Sequence, residues 1–189
     1  MLSDDTYEHL LTCLNEGVVP GHYVSCRKEP RPGICVIQPH IQEMNSIKVQ
    51  GMTFAPSSKH IGNSCILFCI AGNSFQLAGE IQRIFIHQRH GSAPPQNLVT
   101  ETFYVVWTFR ELNNQQAAHD PYRQFPLLFM CLCCNELEEE QIVWSHQIVS
   151  HFAGCPYKSK ELWGNFLVVL SLSKVRLLVF LGNLYLMLL

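Results

Sequence analysis

The sequence predicts a mainly β protein, a bent antiparallel sheet or small barrel with an N-terminal helix and an apolar C-terminal segment. Many short segments rich in β-branched and aromatic residues are separated by turn-forming residues, which is typical of barrels and sandwiches. Strands do not alternate with long helical patterns, so a doubly wound parallel sheet is not expected. The chain has 189 residues, 48% of them apolar, which is enough for one domain with a hydrophobic core.

The strand that the pattern predicts most clearly covers residues 101–110, ETFYVVWTFR. Every second residue from Phe103 onward is apolar, while the residues between them are mixed, as in a half-buried strand. The β-branched and aromatic composition favours the same assignment. The residues expected to point inward are Phe103, Val105, Trp107 and Phe109.

The preceding strand, residues 78–88, changes phase along its length. Ile81 lies on one alternating face, whereas Ile84 lies on the other. A change of phase within one strand requires an extra residue, so the pattern predicts a β-bulge near Gln82 and Arg83.

Four regions are expected along the chain. Residues 1–17 form an N-terminal helix, 18–60 a linker with the first strands, 61–173 the β domain and 174–189 an apolar tail. In the first region apolar residues recur at helical spacing after Ser3, whose hydroxyl suits an N-cap. These apolar residues are Tyr7, Leu10, Leu11 and Leu14.

Several shorter segments are expected to lie outside the strands. Residues 21–33 contain prolines, glycines and basic residues and are interpreted as a linker. Residues 135–141, NELEEEQ, are expected to be a solvated acidic loop, and 159–163 a second helix. Asp120 and Pro121 favour a turn.

Charge and cysteine content restrict the class of protein. The formal net charge of −2 does not favour a protein that holds nucleic acid through phosphate contacts. The N-terminus is acidic and lacks a long apolar stretch, so no secretory signal is predicted. The nine cysteines are therefore expected to be reduced thiols of an intracellular protein.

The sequence shows no catalytic motif. It lacks a nucleophile elbow, a phosphate loop and a dinucleotide fingerprint, so neither an enzyme activity nor a cofactor is expected. One grouping of metal-ligand residue types consists of His146, His151, Cys155, Cys131, Cys133 and Cys134. Its spacing does not define the four ligands of a zinc site. A hydrolase with a Cys nucleophile and a His base is the least favoured alternative, because no single pair stands out.

Aromatic residues provide the main binding hypothesis. A few of them could surround a methylated lysine in an open cage and attract it by cation–π interaction. The candidates are Tyr104, Trp107, Tyr122 and Trp144. The competing interpretation, favoured for most aromatic residues, is that they fill the core.

Several segments together resemble BAH (bromo-adjacent homology) domains, which are β-barrel modules of chromatin proteins. The segments are GEIQRIF, FYVVWTFR, VSHFAGCP and FLVVL, in the order of the family, within residues 61–172. The resemblance implies a non-enzymatic domain that binds a protein partner such as a histone tail in the nucleus. Thr108 stands where the family often has a second aromatic residue.

A narrower resemblance involves GEIQRIFIHQRH, ETFYVVW, DPYRQFP and SHFAGCPY. These segments are similar to parts of large fungal proteins linked to the Kyakuja-Dileera-Zisupton transposons. The resemblance implies a transposon-associated accessory protein, and it supplies no set of catalytic carboxylates.

The apolar tail raises the alternative of a membrane anchor. Its uninterrupted apolar part, residues 177–189, would span only about 20 Å as a helix, short of the roughly 30 Å hydrocarbon core of a bilayer. A longer segment would place Lys174 and Arg176 near the middle of the bilayer, at a cost of roughly 2.5–3.5 kcal/mol each. Membrane insertion is therefore not expected.

Overall fold

The computed structural model describes residues 1–16, 23–29, 33–70, 76–91, 97–125 and 128–173. The fold is mainly β, with a curled antiparallel half-barrel sheet and an N-terminal helix, so the fold-class prediction is confirmed. The apolar tail lies outside the described residues. Within the described part of the chain, no helix has the length and apolar character needed to cross a membrane.

The chain forms two helices of the α type and twelve strands within the described residues. Helix α1 spans Asp4–Glu16, and the one-turn helix α2 spans Asn114–Ala117. The strands are β1 (Tyr23–Ser25), β2 (Cys35–Ile37), β3 (Gln42–Met44), β4 (Ile47–Val49), β5 (Met52–Phe54), β6 (Cys65–Phe68), β7 (Leu77–His90), β8 (Leu98–Phe109), β9 (Met130–Cys134), β10 (Leu137–Trp144), β11 (Ile148–Tyr157) and β12 (Phe166–Ser171).

The main sheet has the strand order β10-β8-β7-β6-β11-β12-β9, with β3 paired to β7. Strand β11 bends it, because its first residues pair with β6 and its later residues with β12. Arg110 brings the ends of the sheet together. Its N–H donates to the carbonyl of Glu136, and its carbonyl accepts from the N–H of Cys134, both at 2.9 Å. The sheet therefore curls back on itself at the connection between β9 and β10.

Two small strand pairs flank the sheet. Strands β1 and β2 pair in parallel, whereas β4 and β5 form a hairpin. The hairpin turns at Gln50 and Gly51, whose φ angles of 50° and 84° match a two-residue type I′ turn.

The bulge predicted in β7 is confirmed. Ile81 lies opposite Val106, and Arg83 lies opposite Val105, so Gln82 is the extra residue between them. The bulge returns the apolar residues of β7 to register, and Ile81 and Ile84 are both buried in the same cluster.

Helix α1 begins and packs as the sequence predicts. The Thr6 N–H lies 3.4 Å from the Ser3 hydroxyl, which caps the first turn. The predicted apolar stripe of the helix is buried. It packs against Ile37 of β2 and, on one face of the main sheet, against Phe85, Phe103, Val105 and Ile142.

Strand β8 is buried on both faces, which the period-two pattern did not predict. Phe103 and Val105 lie under α1, and Tyr104 and Val106 pack into the cluster on the opposite face. Trp107 is 44% exposed, so the expectation that it points into the core is wrong. It lies beyond the apolar stripe of α1, beside the polar first turns of the helix.

Three segments differ from their expected structure. Residues 21–33 contain β1, because Tyr23 and the residues that follow it pair with β2. Most of the expected acidic loop, 135–141, belongs to β10, since a strand at the end of a sheet tolerates a charged, exposed face. Residues 159–163 are not helical, because the Ser159 hydroxyl accepts the Glu161 N–H in a local turn instead.

The turn at Asp120 is confirmed by a 2.8 Å hydrogen bond from the Tyr122 N–H to the Asp120 carboxylate.

A buried histidine on β7 gives the fold a defined pH dependence. The Nε2 atom of His87 lies 2.8 Å from the Gln38 carbonyl, and Nδ1 has no hydrogen-bond partner in the described structure. Burial lowers the pKa of His87 below its ordinary value of 6.5, and nearby Arg89 lowers it further. The hydrogen bond to the Gln38 carbonyl and, more weakly, Glu101 raise this pKa, but burial outweighs them. The folded protein therefore binds this proton less readily than the unfolded chain does.

We expect this histidine to reduce stability as the pH falls below 6.5. Above that pH the imidazole is neutral in both states, and below it only the unfolded chain takes up the proton, until the folded-state pKa is reached. The loss is at most about 1.4 kcal/mol per pH unit. The measurement is urea unfolding from pH 7.5 to 5 for the wild type and His87→Gln, whose amide can still donate to Gln38. Identical pH profiles for the two proteins would contradict this assignment.

Candidate functional site

The structure does not bring together the four aromatic residues of the predicted cage. Tyr104 is fully buried beside Phe54, and burial raises the pKa of its hydroxyl. Trp107 is three residues further along β8 and therefore lies on the opposite face of the strand. Trp144 pairs across from Phe103, and Tyr122 packs in a separate cluster near Tyr157. The four side chains thus form no common pocket.

An aromatic cage exists elsewhere, and the protein's own Arg89 fills it. The guanidinium carbon lies 5.6 Å from the ring centres of Tyr23 and Phe103 and 5.5 Å from that of Trp144. The side chain is only 6% exposed and forms an ion pair with Glu101. Trp144 therefore contacts a cation of the same chain, whereas the predicted cage is one for a methylated lysine of a partner.

Trp107 occupies a different environment, an open cavity between α1 and the sheet. The cavity has a volume of about 380 Å³. On β8, Trp107 lies between two glutamates of the neighbouring strands, Glu80 on β7 and Glu140 on β10. The cavity is lined by Asp5, Glu8, His9, Trp107, Glu138 and Glu140. Four carboxylates and one indole therefore face the same space.

Only part of this negative charge is balanced within the described structure. The Arg110 guanidinium lies 3.1 Å from Glu138, and the His9 ring lies 3.3 Å from Glu140. Arg110 is also bound to Glu136, and this hydrogen bond raises the pKa of the guanidinium. Asp5 and Glu8 form no ion pair with any described residue. The cavity is therefore suited to a cation, which the carboxylates attract and the indole face contacts.

Sequence reasoning named Trp107 but missed the acidic residues around it. Asp5 and Glu8 are three residues apart on the polar face of α1, and Glu138 and Glu140 are close together on β10. Each pair resembles an ordinary solvated surface. The acidic cavity becomes apparent only in the folded protein, where α1 near residue 8 lies beside β10 near residue 140.

The cysteine and histidine residues form no comparable site. Among the described residues, no group of three or more His, Cys, Asp or Glu side chains could hold a metal ion. The ring of His151 lies between the carbonyls of Cys65 and Thr53, at 3.2 and 3.1 Å. Burial raises the pKa of Cys133 to about 12 and that of Cys13 to about 11, so both are poor thiolate nucleophiles.

No protein-family model matches the chain, and no curated protein or solved structure matches it either. Its function is therefore inferred from the arrangement of its own residues.

Proposed function

We propose that the protein is a non-enzymatic interaction domain that binds a basic segment of a partner protein through the cavity at Trp107. The observation that carries this proposal is an exposed indole with carboxylates on two sides of its cavity. Glu140 lies beside it on β10, and Asp5 and Glu8 face it from α1.

The position of Trp107 supports a binding role rather than a structural one. Its neighbours in β8, from Phe103 to Val106, are each at most 1% exposed, whereas Trp107 is 44% exposed. A large aromatic side chain left partly in water on a rigid central strand gains little from packing. The same side chain would become buried when a lysine or arginine side chain lies across it.

The chemistry of the cavity defines the partner. Lysine and arginine are the cations that proteins present, and a flexible basic tail can place one of them beside the carboxylates. Histone tails are partners of this kind, and they are also the partners that the BAH-like resemblance implies. A chromatin-associated role in the nucleus is accordingly part of the proposal.

Replacing Trp107 by alanine is expected to weaken binding while leaving the fold intact. The ligand is a synthetic peptide of alternating lysine and glycine, titrated by calorimetry at low salt. Loss of a desolvated cation–π contact worth about 1–2 kcal/mol corresponds to a roughly 5- to 30-fold rise in Kd. Because the side chain is half-exposed, we expect the free energy of unfolding to fall by less than about 1 kcal/mol.

Trp163 provides a matched control. It is 92% exposed and lies outside the cavity, so Trp163→Ala removes an equally large surface aromatic without touching the site. Its affinity for the peptide is expected to equal that of the wild type. Equal weakening by both substitutions, or by neither, would contradict the proposed function.

A further inference from the structure

A second cavity lies further along the same side of α1. It has a volume of about 190 Å³ and is formed between α1 and β10. Thr12, Cys13 and Glu16 line it from the helix, and Ile142 and Trp144 line it from the strand. The Cys13 thiol donates to the Ile142 carbonyl over 3.6 Å, which holds the two walls together at its base.

The two cavities adjoin each other between α1 and β10, and together they are called the groove below. His9 and Glu140 line both of them, and their side chains lie 3.3 Å apart at the junction. The helix residues of the two linings are Asp5, Glu8, His9, Thr12, Cys13 and Glu16. Their spacing of three and four residues places them on a single stripe of α1, which runs alongside β10.

The groove is acidic at both ends. Asp5 and Glu8 lie beside Trp107 at one end, Glu140 lies at the junction, and Glu16 stands at the other end. Glu16 is exposed and forms no ion pair with any residue that the structure describes. Each end therefore offers a separate place for a positive charge.

We propose that the groove binds an extended segment carrying two cationic side chains four residues apart, one over Trp107 and one beside Glu16. This rests on the proposed function and adds a second contact to it. Trp107 lies opposite Glu140, and the far end of the groove lies at Trp144. Four residues of extended chain cover about 13 Å, and the helix rises about 16 Å between Asp5 and Glu16, so the lengths agree.

The spacing can be tested with two blocked peptides of identical composition. GGKGSGKGG has its lysines four positions apart, and GGGKGKSGG has them two apart, too close to reach both ends of the groove. We expect the first peptide to bind the wild-type protein at least about tenfold more tightly, because its second contact is intramolecular. Calorimetry at low salt measures both affinities.

Glu16→Gln is expected to reduce this advantage to less than about twofold. Glu161→Gln is the matched control, because it removes the same charge from an exposed carboxylate outside the groove, 72% exposed and paired with His119. It should retain the full difference between the peptides. Thermal melts of both variants establish that they are folded, as expected for two exposed positions.

The outcomes separate the two proposals. Equal affinity of the wild type for the two peptides, or a difference that persists in Glu16→Gln, would overturn the two-point groove. If Trp107→Ala still weakens both peptides in that case, the single cation site of the proposed function stands. Insensitivity of both peptides to Trp107→Ala would overturn the proposed function itself.

Discussion

Replacing Arg89 by methionine is expected to lower the free energy of unfolding by about 3 kcal/mol. The substitution keeps an unbranched apolar side chain but removes the guanidinium from between Tyr23, Phe103 and Trp144. It also leaves Glu101 without its partner, although that carboxylate is 35% exposed and recovers some hydration. Arg89 Nε and Nη1 have no hydrogen-bond partner in the described structure, and removing them offsets part of the loss.

Urea unfolding of the wild type and Arg89→Met measures this change. The matched control is Arg27→Met, which removes an exposed guanidinium from a surface ion pair with Asp4 and should leave stability almost unchanged. The double variant Arg89→Met, Glu101→Gln should be more stable than Arg89→Met alone, because no unpaired carboxylate remains. An Arg89→Met protein as stable as the wild type would show that the filled cage contributes nothing to the fold.

Replacing Gly79 by alanine is expected to lower the free energy of unfolding by roughly 3 kcal/mol. This value is at the upper end of the range for substitutions that overpack a core. Gly79 lies on β7, facing β8. A Cβ atom there would lie 2.5 Å from Val106 Cγ1, 2.9 Å from the Trp107 carbonyl oxygen and 3.1 Å from Phe68. The carbonyl belongs to a central strand, so the clash can be relieved only by shifting the backbone that carries Trp107.

Gly91→Ala is the control for this prediction. Among the described residues, a Cβ atom at Gly91 would have its nearest neighbours at 3.6 and 3.7 Å, ordinary contact distances. We expect Gly91→Ala to unfold at the same urea concentration as the wild type or slightly above it, because alanine reduces the entropy of the unfolded chain. Similar midpoints for the two alanine variants would mean that β7 and β8 are not as close as described.

The parts of the fold that sequence could predict are those set by short-range patterns. The helical spacing in α1, the phase change at Gln82 and the turn at Asp120 each depend on a few neighbouring residues. The identity of the element that covers each sheet face is not a local property. The period-two pattern of β8 puts Trp107 on the same face as Val105. Helix α1 covers Val105 but leaves Trp107 exposed.

The site depends even more on contacts between distant segments. The cage around Arg89 uses three rings from β1, β8 and β10, which no spacing rule relates. The sequence predicts an acidic loop only over residues 135–141, because glutamates favour solvent, but most of that segment is the exposed first half of β10, a strand at the end of the sheet. The groove arises because α1 packs beside that strand.

The most direct test of cation binding at Trp107 is an NMR titration of the ¹⁵N-labelled protein with the alternating lysine–glycine peptide. The chain has three tryptophans, so three indole N–H signals report on Trp107, Trp144 and Trp163 separately. The Trp107 signal is assigned by its loss in Trp107→Phe. We expect it to shift with saturation, together with the amides of Glu8 and Glu140, while the Trp163 signal stays in place. An unmoved Trp107 signal at saturating peptide, or a shift confined to Trp163, would contradict the central claim.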